Sequence, residues 1–127
     1  MNRNEFTGKY SEFAKIALAS AFKARGEGLL SLEDELNREK IDSREIFEYG
    51  MQFVIDGNDP ELIGEILSNI IEQEKDEYTR IYKTIQKKAV LAIQSGINPR
   101  MLFYILNSCT DLPLKDDPSA EEALKDL

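Results

Sequence analysis

Apolar residues in this chain recur every third or fourth position, and nowhere do they alternate in the way a half-buried strand requires. Phe6, Tyr10, Phe13, Ala17 and Ala21 step in this way along a first helix expected from about Asn4 to Ala24, with Ile16 and Phe22 widening its apolar face. Gly26 and Gly28 then bracket Glu27, and two glycines this close predict a kink or short break. Leu29, Leu30, Leu32 and Leu36 resume a helix to about Arg38. Asp42 and Glu45 have the spacing of a capping box, in which each side chain satisfies a backbone donor freed at a helix start. The helix they open carries Ile46, Phe47, Met51, Phe53, Val54 and Ile55, and Gly57 ends it.

Asp59 followed by Pro60 is a cap-then-proline start for a fourth helix, which has no glycine or proline stop between Glu65 and Ser95. At ~1.5 Å per residue, such a helix would be on the order of 50 Å long, longer than a compact domain of this size is wide. It is apolar at Leu62, Ile63, Ile66, Leu67, Ile70 and Ile71, and again at Tyr78, Ile81, Tyr82, Ile85, Ala89, Val90 and Ile93. Between these runs, residues 72–77 are entirely polar, so either a bend near Lys75 or a solvated bridge is expected. Asn98 and Pro99 start a fifth helix that ends before Pro113. Ser119 and Glu122 make a further capping box in the acidic tail, where Ala120, Ala123, Leu124 and Leu127 share one face. The expected architecture is therefore all-α: a five-helix bundle with one long central helix, a single domain over residues 1–110, and a short amphipathic tail over 111–127.

With 127 residues, of which 42% are hydrophobic, the chain has material for one domain and one core. Its net charge of −8 argues against nucleic acid and against an anionic membrane surface, since both need a surplus of Lys and Arg on one face. The charge is uneven: residues 1–30 hold five bases against three acids, and residues 31–60 hold three bases against nine acids. An electrostatic partner would meet a mildly basic first helix beside a strongly acidic segment. One cysteine, Cys109, permits no internal disulfide and suits a reducing compartment. The first residues are too polar for a signal peptide, and the most apolar stretch, Met101 to Leu106, is far short of the ~20 residues that span a bilayer. A cytoplasmic location without a membrane span is the expectation.

The chain has no histidine, which removes the commonest general base, the usual zinc and iron ligand, and every Ser-His or Cys-His pair. There is no glycine-rich phosphate loop; the glycines at 26 and 28 lack the lysine and the preceding strand. Glu72, Glu74, Asp76 and Glu77 are acidic enough for calcium, but on a helix they fan out rather than converge, so a solvated face is expected. Cys109 reads as a buried small hydrophobe with no cationic sequence neighbour to activate it. No cofactor or metal is expected, and the function is expected to be binding rather than catalysis. Arg25 and Glu33, eight residues apart, would lie on roughly the same side of a continuous helix as ordinary surface charges.

Two segments carry a resemblance. Residues 23–33, KARGEGLLSLE, and residues 53–63, FVIDGNDPELI, resemble the cytoplasmic region of the flagellar motor stator protein MotA. In that family a basic helix runs into an arginine and EGLLxLE, and VxDGxDPExI follows. Both pieces occur here in that order and at about that separation, and the likeness extends over roughly Phe13 to Glu74. The resemblance implies a helical collar that meets the rotor's switch protein through charged residues, with Arg25 toward rotor carboxylates and Glu33 toward rotor cations; a flagellar rotor switch or stator protein is the expected partner. Glu27 and Glu35 flank them as further partner-binding residues. The chain departs from the family at Ser68 and Ile70, where an acidic pair is usual, and it lacks the family's membrane helices. Ion conduction therefore does not carry over. A second reading, independent of the resemblance, is a self-associating scaffold or homodimer through the long helix, using the ridge from Ile63 to Ile71 and Ile81 to Ile93.

Overall fold

The structure, a computed structural model, describes residues 1–36 and 45–118. Among the described residues it has five α-helices and one 3-10 segment and no strand: α1 (Arg3–Glu27), the 3-10 segment Leu29–Glu35, α2 (Ile46–Ile55), α3 (Pro60–Glu72), α4 (Glu77–Ser95) and α5 (Pro99–Asn107). The all-α expectation holds; the long central helix does not. Asp42 of the expected capping box, Arg38 at the expected end of the second helix, and the box at Ser119 and Glu122 lie outside the described residues.

α1 begins at Asn2, whose side chain accepts the amide hydrogen of Glu5 at 2.8 Å. It runs through Gly26 and stops at Gly28, where φ is +90°, a conformation that costs glycine little and other residues much. Phe6, Tyr10, Phe13, Ala17 and Ala21 are buried as their spacing predicts. Ile16 and Phe22 are not: they are 55% and 39% exposed. The 3-10 segment, α4 and α5 pack on the face of α1 that buries Ala14, Ala17 and Ala21, and the flanks that carry Ile16 and Phe22 stay open.

α2 shows how tertiary contacts replace a local cap. Glu45 stands at its N-cap without making a side-chain cap bond, and the amide of Phe47 instead donates to Gln86 Oε1 of α4 at 3.0 Å. Gln86 is buried, so this bond satisfies two polar groups that would otherwise be costly to desolvate. Asp59 holds the cap position of α3 yet makes no side-chain cap bond, with Pro60 as the first helical residue.

The expected 60–95 helix is two helices folded against each other. Lys87 Nζ donates to Ser68 Oγ at 2.7 Å, Lys83 Nζ donates to Glu74 Oε1 at 2.9 Å, and Gln94 Nε2 donates to the carbonyl of Asn58 at 2.8 Å. Partners later in α4 pair with residues earlier in the chain, which makes α3 and α4 antiparallel. The reversal occupies residues 73–76. Glu74 Oε2 accepts the amides of Lys75 and Asp76, and Asp76 caps α4 by accepting the Thr79 amide at 2.9 Å and its hydroxyl at 2.6 Å. The polar gap is therefore a turn, and the apolar rows on either side of it face into one core, with Ile63, Leu67, Ile71, Ile85, Ala89, Val90 and Ile93 all buried.

α5 starts at Asn98, which accepts the Arg100 amide at 3.0 Å. It returns along α1, so that the Tyr10 hydroxyl donates to Asn107 Oδ1 at 2.6 Å. Asn107 also accepts the Leu114 amide at 3.0 Å and donates to the Leu114 carbonyl at 3.1 Å, which holds the chain beyond α5 against the core. Two aromatic groups join the layers: Phe6 with Tyr10 and Tyr78, and Phe13 edge-on to Phe47 and Tyr82.

Candidate protein-interaction site

The residues singled out in the sequence cluster where α1 ends and the 3-10 segment begins. The Gly28 amide closes α1 on the Ala24 carbonyl at 2.8 Å. The Ser31 hydroxyl and amide then both donate to the Gly28 carbonyl, at 2.6 and 3.2 Å, and tighten the bend. Beyond it the chain doubles back: Lys23 Nζ reaches Glu35 Oε1 at 2.9 Å. In a continuous helix, twelve residues would separate those two positions by ~18 Å. Arg25 and Glu33 therefore do not ride on one continuous helix, because the glycine the sequence flagged as a weak point is a full reversal.

The 3-10 geometry sorts the side chains that follow. With three residues per turn, Leu29, Leu32 and Glu35 share a face, while Leu30 and Glu33 share another. The first set turns toward α1: Leu32 is buried, Leu29 is half-buried, and Glu35 meets Lys23. The second turns outward, so Glu33 is exposed beside Leu30, which is 68% exposed. An α-helical reading of the same leucines would have put Leu29, Leu32, Glu33 and Leu36 together.

The four predicted partner-binding residues thus stand in different settings. Arg25 is exposed, makes no hydrogen bond or ion pair among the described residues, and edges a cleft of about 240 Å³. Ala21, Ala24, Gly28 and Leu29 form one wall of this cleft, and residues 93–97, at the end of α4, form the other. Glu33 is exposed on the outer ridge. Glu35 is held by Lys23, and the Glu35 hydrogen bond, with the charges of Glu35, Glu27 and Asp34 adding, pushes the Lys23 amine above its ordinary value. Lys23 is the residue that sequence reasoning left out. Its local context offers only Glu27, one turn further along α1, and the reversal at Gly28 adds Asp34 and Glu35.

Elsewhere the titratable groups serve the fold. Burial pushes the Tyr10 and Tyr82 hydroxyls up. Lys83, with the Asp76 amide, holds Glu74 below the carboxylate range, and the hydroxyl and amide of Thr79 take Asp76 down to about 2. Cys109 is half-buried, donates to the Ile105 carbonyl at 3.4 Å, and has its thiol pushed up by burial. Among the described residues no helix is long and apolar enough to cross a membrane.

Fold and site together define a small helical domain that presents charges of both signs at one end. The chain is 41% identical over 78 residues to Motility protein A of Borreliella burgdorferi. That alignment covers 59% of this chain and 29% of the relative, so the chain spans less than a third of the protein it matches. No family model and no solved structure matches it.

Proposed function

We propose that the chain is a helical interaction module of the flagellar motor, related to the cytoplasmic part of the stator protein, and that it works by binding and not by catalysis. The observation that carries this reading is the 41% identity to a motility protein over 78 residues. Arg25, exposed and without an ion pair among the described residues, and the exposed Glu33 support it, because they are the two positions the stator resemblance assigns to a rotor partner. Exposed charge pairs are each worth less than ~1 kcal/mol and weaken with salt, which suits a contact made and broken repeatedly. The second reading, self-association through the ridge from Ile63 to Ile71 and Ile81 to Ile93, has less surface to draw on, because Ile63, Leu67, Ile71, Ile85, Ala89, Val90 and Ile93 turn into the core while Ile66, Ile70 and Ile81 stay half-buried.

The test is a pull-down of purified rotor and stator proteins from the source organism with this chain as bait. One of them is expected to be retained at low salt and released as salt rises. Arg25→Glu combined with Glu33→Lys is expected to weaken retention about tenfold, given two reversed contacts of this size. Retention of none of these proteins by the wild-type chain would count against a motor role.

A further inference from the structure

The acidic side of the domain carries a second surface. Where the 3-10 segment packs between α1 and α2, a groove of about 100 Å³ opens to solvent. Ile16, Leu36, Phe47 and Met51 give it apolar walls, and the exposed carboxylates Glu35 and Glu48 stand on its rim. Ile16 is more than half exposed although it extends the apolar face of α1, so the groove leaves apolar surface in water that no described element covers. Ser20 also lines it: it is only 7% exposed, and its hydroxyl makes no hydrogen bond among the described residues.

We propose that this groove docks a basic amphipathic segment of a partner protein, one apolar side chain entering the groove and flanking Lys or Arg residues meeting Glu35 and Glu48. Charge complementarity selects this occupant. The lining of the groove holds two carboxylates, Glu35 and Glu48, and no base among the described residues, so an acidic or neutral segment gains nothing at the rim. The fold itself shows how a cation sits there, because Lys23 reaches Glu35 at 2.9 Å from the neighbouring helix. That pair is open to water, with side chains 33% and 52% exposed, so an incoming cation can displace Lys23. Lys23 is on this view an internal placeholder that the partner's cation replaces. The proposal rests on the reading above only in taking the partner to be a protein; it does not need that protein to belong to the motor.

The probe is a fluorescent synthetic peptide with leucines along one helical face and lysines beside them, titrated into the full chain and followed by anisotropy. Binding is expected to weaken about tenfold with Glu35→Lys plus Glu48→Lys, and to a similar extent with Ile16→Asp, an exposed position where circular dichroism should show the fold unchanged. Lys23→Met should tighten it by about threefold, whereas Lys15→Met, which removes the same charge elsewhere on α1, should leave it as it was. A peptide with glutamates in place of the lysines that binds equally well would overturn the proposal, and so would binding indifferent to both Ile16→Asp and Glu48→Lys. Failure of the peptide arm with motor-protein retention intact rejects the groove alone; the reverse result rejects the motor role and keeps the groove.

Discussion

Gly8 and Gly50 both sit inside helices, where a glycine ordinarily costs about 0.5–1 kcal/mol relative to alanine, yet the two positions call for opposite substitutions. A Cβ on Gly8 would meet nothing within 4 Å. A Cβ on Gly50 would lie 2.8 and 2.9 Å from the two methyls of Val90 and 3.0 Å from Leu67 Cδ1. Val90 is buried and β-branched, so it has little freedom to turn away. Gly8→Ala should therefore stabilise by about 0.5–1 kcal/mol. Gly50→Ala should destabilise by about 1–2 kcal/mol, the overpacking exceeding the helix gain. Urea unfolding of the two variants checks both signs, and a stabilised Gly50→Ala would show that α2 can move away from α4. The sequence marks Gly50 only as a glycine within an apolar helix; that it is a point of close approach depends on a side chain forty residues away.

Among the elements, the reversal between α3 and α4 is where acid should act. Asp76 is charged more readily in the fold than at its ordinary value of 3.8, because Thr79 donates to it twice, and Glu74 is likewise held down by Lys83. A carboxylate depressed in this way adds stability that is complete above its unfolded value and is lost as pH falls through its folded one. The melting temperature should thus fall between about pH 4 and pH 2, and Asp76→Asn, which can still accept the Thr79 amide but does not titrate, should make that fall shallower. An unchanged slope would mean the cap is not coupled to global unfolding. The polar run over residues 72–77 marks a gap in the apolar pattern, but a straight bridge and a reversal share the same hydropathy there. Only the packing of α3 along α4 separates the two. At the other end of the molecule the leucine spacing suggested an α-helix, and the chain takes a 3-10 segment instead. The anchoring of Leu32 and the Lys23–Glu35 contact fit a three-residue repeat after the turn at Gly28.

For the whole molecule, all five helices draw on one core, since Phe6, Ile46, Ile63, Ile85 and Leu102 are fully buried in the same cluster. A domain of this kind is expected to unfold in one step. Tyrosine fluorescence, to which tyrosines on α1, α2, α4 and α5 all contribute, should lose its folded signal at the same urea concentration as far-ultraviolet circular dichroism. An earlier fluorescence transition would mean that part of the core opens before the helices are lost.

The sequence by itself determined the helical class, the inward row of α1 and the starts of α3 and α5, because each is set within a few residues by side-chain period or by the residues at a helix start. Tertiary structure alone decided that α3 and α4 fold back on each other, that Gln86 caps α2, and that Lys23 joins the acidic end. These depend on contacts between residues far apart in the chain, whose energies no local window contains.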